Sequence, residues 1–522
     1  MDTHYTISFS GYSMNPFLKP GDRLVVKQVP PEIYRVGDIV VLPNPGNIYM
    51  VHRLIKLLPG YRGLTKGDSL LVSDPAPVTL SSLAGRVEMV VRDRHLIPIT
   101  SGPRSFLKCC YAALSRMGLT SGAIRLRIKK VYSGYLQAPI PKNGLQKFMP
   151  AKQVLISILR GHFSELPPNV HWRQLNEVIY REGLAGIVYQ YLKRQKAPAA
   201  ELAEIKNFYR TIAAQNIIHL EALNRLEEDL RVEKIEVMTL KGASLLKSVY
   251  PSIGLRPMED LDLMVRPENL DCFTKLLQRR GYQQNPKLSN SFKKGHVIID
   301  LHTHALNTNR IRSRTTLFPE GMNPIWQSCL PWGTDHRWIR RPNDFDTILL
   351  LSQHYLKHYY SRLIWLEDIQ RLIGTCDQKF LSDLVDRAHQ LKQTKPLAYT
   401  LYFLQKIYNT PFPAHSTAKA LTDDISAMER FLLNPKEEEH PSEILAVIMA
   451  LFCIRGLKNR IWFGWENLFP RSEVIQNEFG GIMGSSRAIF YPLRIFQAFI
   501  LAFRIISAAV KNSIQRVNDK IF

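Results

Sequence analysis

Cysteine is scarce and scattered: the six residues Cys109, Cys110, Cys272, Cys329, Cys376 and Cys453 contain no CxxC pair. That excludes a disulfide framework or a zinc ribbon and makes a reducing compartment the default. Long apolar runs are missing too. Nothing reaches the roughly 18 residues that cross a bilayer, and the nearest stretch, Ile444 to Ile454, is stopped by Arg455 and reads as a buried core helix. The N-terminus, MDTHYTISFSGYSM, lacks the apolar centre of a signal peptide. Acid is rarest between Arg92 and Lys147, where Asp93 is the single acidic residue among eleven Lys and Arg.

What remains is enough for more than one packed core. The chain has 522 residues, 45% of them hydrophobic and 22% charged, a balance that disordered proteins do not show. The formal net charge of +24 favours anionic partners: nucleotides, nucleic acid or an anionic membrane surface. The basic stretch 95–150 reads as an interdomain linker with an amphipathic helix. Ala488 to Val517, apolar but interrupted by Arg494, Arg504, Lys511 and Arg516, reads as a basic amphipathic helix that packs on the body or lies on a membrane. The expected location is the cytoplasm, with peripheral contact at the inner membrane face.

Residues 1–94 predict a small all-β domain. Short β-like runs (Tyr5–Ser10, Arg23–Lys27, Asp38–Leu42, Tyr49–Leu57, Arg86–Val91) alternate with the turn signals LKPGD, RVGD, NPGN and TKGD. Ser13 lies in a loop after the first run, His52 on a strand, and Asp68 and Asp74 follow in LTKGDSLLVSD. A serine hydroxyl needs a positioned base to take its proton, and a carboxylate fixes the tautomer of that base. Residue types alone do not distinguish this set from ordinary polar loops. SMNPFLKPGD, VGDIVVL, VHRLIK, LTKGDSLLVSD and GRV, in that order, resemble the boxes of type I signal peptidases and their S24/S26 relatives, in the branch that carries His in place of Lys. The resemblance implies a signal-peptidase/LexA-like fold, Ser13 as nucleophile, His52 as general base, Asp68 or Asp74 orienting it, and a peptide or protein substrate. The family's usual membrane anchor does not precede Ser13, so a soluble or peripheral peptidase is expected rather than a secretory one.

Residues 151–522 are dominated by helical periodicity, with helices expected at Lys152–Arg160, Gln174–Glu182, Ala199–Leu230, Phe345–Ile373, Lys379–Leu391 and Ser442–Ile454. Strand-like runs cluster at about 235–305, which predicts an α+β domain with a mixed sheet inside a largely helical body. There LKGASLLKSVYPSIGLRPMEDLDLMV reads as strand, Gly-turn, helix, loop, strand. On a strand, alternate side chains share a face, so Asp260 and Asp262 can look into one cleft, and IIDLH adds Asp300. Lys241, Gly242 and Ser244 stand at a helix start, where backbone N–H groups can cradle phosphate. Three carboxylates beside a phosphate-binding turn point to metal-assisted nucleotidyl transfer.

LKG, Arg256, Asp260-Leu-Asp262-Leu and IIDLH in that order, with REGLAGIVYQYL upstream and RLIWLEDI and LFP downstream, resemble the DNA polymerase β-type nucleotidyltransferases, and within them a poorly characterised bacterial family. The resemblance implies an NTP substrate and two Mg²⁺ ions on Asp260, Asp262 and Asp300. Asp300 also helps deprotonate the acceptor hydroxyl, Gly242 and Ser244 approach the triphosphate, Lys241 and Arg256 offset its charge, and His302 sits behind the acids or packs. The acceptor, whether small molecule, protein or RNA, is left open. His354, His358 and Arg362 fall at i, i+4, i+8 on one expected helix; structure or substrate contact outranks a zinc site there, and Trp365, Leu366 and Ile369 read as core.

The chain therefore reads as a bifunctional fusion of a serine endopeptidase and a nucleotidyltransferase. One alternative keeps the β-domain as a non-catalytic peptide-binding module. The other makes the whole chain a non-catalytic scaffold.

Overall fold

The computed structural model describes residues 4–9, 14, 18, 22–44, 48–68, 74, 77–92, 95–99, 151–161, 172–195, 199–285, 288–308, 311–334, 336–374, 377–413, 415–434, 443–471 and 474. Ser13, residues 100–150 of the basic linker expected at 95–150, and the C-terminal amphipathic tract lie outside the described residues, while His95–Pro98 of that linker belong to the N-terminal sheet. The described chain falls into two compact units, one of the residues up to 99 together with 471 and 474, and one from 151 to 470. Among the described residues, no helix is long and apolar enough to cross a membrane.

The N-terminal unit is all β, as its turn-punctuated sequence predicts. Its strands are β1 (His4–Phe9), β2 (Asp22–Lys27), β3 (Ile39–Asn44), β4 (Ile48–Leu58), β5 (Arg62–Lys66), β6 (Val78–Thr79), β7 (Gly85–Arg92) and β8 (His95–Pro98). They form one sheet in the order β1-β2-β7-β3-β4-β5-β6, with β8 also paired to β7. β3 shows why both faces of this sheet are covered. Ile39 and Val41 enter one apolar cluster with Leu24, Val26, Val51 and Val87, whereas Val40 and Leu42 enter a second with Tyr34, Leu54 and Leu80. A two-residue side-chain period delivers alternate residues to opposite faces.

The second unit is helical around a mixed sheet. Its helices are α1 (Ala151–Leu159), α2 (Trp172–Glu182), α3 (Ala185–Arg194), α4 (Ala199–Asn224), α5 (Glu227–Glu233), α6 (Lys241–Ser248), α7 (Leu270–Arg279), α8 (Asn323–Gln327), α9 (Asp344–Lys357), α10 (Leu363–Ile373), α11 (Gln378–Gln390), α12 (Thr394–Tyr408), α13 (Thr417–Asp423), α14 (Ala427–Leu432), α15 (Glu443–Cys453) and α16 (Leu457–Leu468). The strands β9 (Val237–Thr239), β10 (Leu261–Val265), β11 (Gln283–Asn285), β12 (Leu288–Lys294), β13 (Val297–His302), β14 (Leu330–Pro331) and β15 (Ile339–Arg341) are ordered β11-β12-β13-β10-β9-β15-β14. β10 runs parallel to β13 and antiparallel to β9. Every residue of β10 is buried, as expected for a central strand with both faces covered.

Two expected helices are each divided in two. Ala199–Leu230 breaks between α4 and α5, and Phe345–Ile373 breaks between α9 and α10. In the second break, Tyr359 and Tyr360 adopt left-handed backbone with φ of 47° and 55°, and Tyr359 donates its hydroxyl to the carbonyl of Leu432 at 2.6 Å. Neither tyrosine lowers the cost of that conformation, so packing imposes it.

Candidate active site

In the C-terminal unit the parallel pairing of β10 with β13 puts Asp262 directly opposite Asp300, so both carboxylates leave the sheet on one face. Asp260 lies one residue before β10 and is half-buried; it is held near the other two by the incoming loop rather than by the strand pleat. Asp262 is buried. Its Oδ1 accepts from Lys241 Nζ at 2.7 Å and lies 2.9 Å from His302 Nε2. Nδ1 of His302 is 2.5 Å from Asn307 Oδ1, so the imidazole is fixed at both nitrogens. His302 therefore stands directly behind Asp262.

Electrostatics divides the carboxylates. Burial, then the charges of Asp262 and Asp300, push Asp260 up to about 7 against the pull of Lys241. Asp262 moves the other way: burial opposes its charge, but Lys241 and His302 outweigh burial and hold it well below the usual carboxylate range. Negative charge thus exceeds what the neighbouring cations offset, and the excess is felt at Asp260.

Three hard oxygen donors with surplus negative charge fit a divalent cation of the Mg²⁺ type. As they stand, among the described residues no three His, Cys, Asp or Glu side chains are gathered tightly enough to hold a metal ion. The physical reason is visible at Asp262, whose carboxylate is turned to the Lys241 ammonium and the His302 ring.

The turn before α6 works differently from the expectation. The left-handed residue is Lys241, with φ of 50°, while Gly242 lies within the helix. Gly242 is needed for close packing: a Cβ there would lie 2.8 Å from Arg256 Nη1 and 2.9 Å from Met258 Cγ. Ser244 is buried, with no hydrogen-bond partner for its hydroxyl. Arg256 is buried as well. Its Nε and Nη2 each donate to Asp368 of α10 at 2.8 Å, and Tyr250 donates its hydroxyl to the same carboxylate at 2.6 Å. Its guanidinium therefore anchors the loop 249–260 that delivers Asp260. Asn216 of α4 clamps that loop from the other side, donating to the carbonyls of Ile253 and Arg256. Sequence reasoning missed Asp368 and Asn216; the single local signal was the acidic pair Glu367-Asp368 in RLIWLEDI.

The remaining expected residues are placed as follows. Leu366 and Ile369 are core, but Trp365 is half-buried against the rings of His354 and His358, with centroids 4.6 and 5.0 Å away.

In the N-terminal unit, Nδ1 of His52 lies 2.7 Å from Oδ2 of Asp74, and Thr65 donates its hydroxyl to the same oxygen at 2.5 Å. Burial opposes the charge on Asp74, but those two hydrogen bonds prevail and lower its carboxyl below the ordinary value. Asp68 is engaged elsewhere: Arg53 donates to it from Nε and Nη2 at 2.8 and 2.7 Å, and both side chains are buried. Of the two candidate acids, Asp74 is the one against His52.

A mixed sheet inside a helical body, with carboxylates on adjoining parallel strands and a lysine at the first turn of the helix after β9, is an arrangement suited to transfer chemistry on phosphates. Residues 168–409 match the family model described as an uncharacterised nucleotidyltransferase, so this stretch is a nucleotidyltransferase-family domain. No curated protein and no solved structure matches the chain.

Proposed function

We propose that the C-terminal unit transfers a nucleotidyl group from an NTP to the hydroxyl of an acceptor. The observation that carries this reading is the Asp262–Asp300 pair in register on β10 and β13, with Asp260 beside them and Lys241 on Asp262. The acceptor oxygen forms a bond to the α-phosphorus while the bond from that phosphorus to the β-phosphate bridging oxygen breaks. Pyrophosphate leaves, and the hydroxyl proton passes to Asp300. Divalent cations held by Asp260, Asp262 and Asp300 would supply charge neutralisation and Lewis acidity at the phosphates. Lys241 exchanges its contact with Asp262 for a phosphate oxygen when the triphosphate arrives. His302, fixed by Asn307, keeps Asp262 ionised and oriented. Arg256 acts through the loop it anchors. Incubation of the purified chain with labelled NTPs, Mg²⁺ and cell lysate should transfer label to an acceptor. Neither transfer nor Mg²⁺-dependent NTP binding with any of the four ribonucleotides would sink the proposal.

A second activity is favoured by one observation, the 2.7 Å contact of His52 with Asp74. A half-buried carboxylate on Nδ1 assigns the base role to Nε2, which is the arrangement a serine nucleophile needs. In this reading the N-terminal unit is a serine endopeptidase with Ser13 as nucleophile, His52 as base and Asp74 as its orienting acid, while Arg53 and Asp68 stabilise the strand that carries His52. A serine-directed acylating probe should label Ser13, and Asp74→Asn should slow labelling at least about tenfold because the imidazole loses its fixed tautomer. Undiminished labelling in His52→Ala would instead leave the β-domain as a peptide-binding module.

A further inference from the structure

The break between α9 and α10 creates a cluster that the transfer chemistry above does not use. His358 closes α9, Tyr359 and Tyr360 follow in left-handed conformation, and Arg362 precedes α10. The reversal brings His354, His358 and Trp365 together, with ring centroids 4.6 Å apart for His354–His358 and His354–Trp365 and 5.0 Å for His358–Trp365. Non-glycine residues in left-handed backbone persist only where their surroundings hold them, and such positions concentrate at functional sites. The surroundings here are specific. Glu182 accepts from the backbone N–H of Leu363 at 3.0 Å. A Cβ on Gly183 would meet Arg362 Nη2 and Ile364 Cγ2, each at 3.0 Å.

The cluster belongs to the carboxylate site. Arg362 reaches from 5.7 Å off the Trp365 ring to Glu259, 3.6 Å away and adjacent to Asp260. Burial, reinforced by the Lys241 ammonium and neighbouring cations, holds His354 well below the usual imidazole range. Of the two imidazoles, His354 is therefore neutral near neutral pH and does not bind phosphate as an imidazolium. Among the described residues they also join no third ligand that could make a metal site. The three rings offer flat π surfaces in mutual contact, of which His358 is exposed and Trp365 half-exposed. The Lys241 charge acts on both imidazoles and Arg362 ties the cluster to Glu259 beside Asp260, so the rings neighbour the phosphate side of the site and offer a flat, unsaturated group a surface to stack on.

We propose that His358 and Trp365, backed by His354, form the platform on which the nucleobase of the NTP stacks. This rests on the nucleotidyltransferase reading, and the experiment separates the two. Equilibrium binding to the full chain with Mg²⁺ would be measured for ATP, GTP, CTP, UTP and inorganic tripolyphosphate, which has the charge but no base. For the tightest NTP, Trp365→Ala should raise Kd about 5- to 150-fold, His358→Ala should also raise it, and Trp365→Phe should recover most of the loss. Tripolyphosphate should bind every variant within about twofold of the parent. Should Trp365→Ala fold poorly, the exposed His358→Ala carries the test. Equal loss of tripolyphosphate and NTP, or no loss of either, overturns the platform and leaves nucleotidyl transfer standing. A parent chain that binds neither ligand overturns both.

Discussion

Replacing Asp262 with Asn should abolish the proposed label transfer from NTP, by at least about 100-fold, while the second unit stays folded. The size follows from where the charge is. Asp262 is the buried centre of the site, in contact with Lys241 and His302 and opposite Asp300, and electrostatic groups aimed at developing charge commonly carry factors of about 10² to 10³ each. Asn preserves the shape and can still accept a hydrogen bond from Lys241, but it removes the charge that a divalent cation and the Lys241 ammonium both need. Folding is affected less, because two changes oppose each other. Lys241 loses its ionic partner, whereas Asp260 and Asp300 lose a repelling neighbour. All seven tryptophans, Trp172, Trp326, Trp332, Trp338, Trp365, Trp462 and Trp465, belong to the second unit, so tryptophan fluorescence during urea unfolding reports on that unit alone. An Asp262→Asn chain with an unchanged urea midpoint and near-parental transfer would remove Asp262 from the mechanism.

The carboxylates were legible in the sequence because their signal is local. Asp262 and Asp300 lie on strands read directly from LDL and IIDLH, and an in-register pair of parallel strands needs only those strands to meet, while Asp260 comes from the loop that runs into β10. The anchor of Arg256 was not legible, since Asp368 lies 112 residues further on and nothing near Arg256 announces it. The Gly-turn read before the helix has its left-handed residue at Lys241; Gly242 lies in the helix, where Arg256 and Met258 pack against it. The break at His358 carried no glycine or proline to mark it, and helical periodicity ran straight through. The result is that two histidines expected on one uninterrupted helical face end beside a tryptophan from the next helix. In the N-terminal unit the turn signals located β1 to β4 and β7 but not β5, β6 or β8, the last of which falls in the stretch read as linker, and Asp68 and Asp74 could not be distinguished, because the competing partner, Arg53, adjoins His52 in the chain and points elsewhere.

Asp368→Ala should destabilise the second unit by about 3–5 kcal/mol, a large part of what a domain possesses. Asp368 is fully buried and is the shared acceptor for Arg256 and Tyr250. Truncation leaves a buried guanidinium without its counter-charge and a buried phenol without its acceptor, and both desolvation penalties then stand uncompensated. The alternative explanation for any loss, a simple packing defect in α10, makes a different prediction for the double variant. Replacing both partners, as in Arg256→Met with Asp368→Leu, removes the orphaned charge, so the pair of substitutions should cost less than Asp368→Ala alone and less than the sum of the two single changes. Urea unfolding followed by tryptophan fluorescence measures all four chains. Additive losses would show that Arg256 and Asp368 act independently, and the loop 249–260 would then be held chiefly by Asn216 and by the packing of Gly186 against Gly254 and Leu255. Coupled losses would identify the Arg256–Asp368 pair as the element that fixes Asp260 beside Asp262. In that case the double variant should refold yet transfer label more slowly than the parent, because the loop delivering Asp260 has lost its charged anchor.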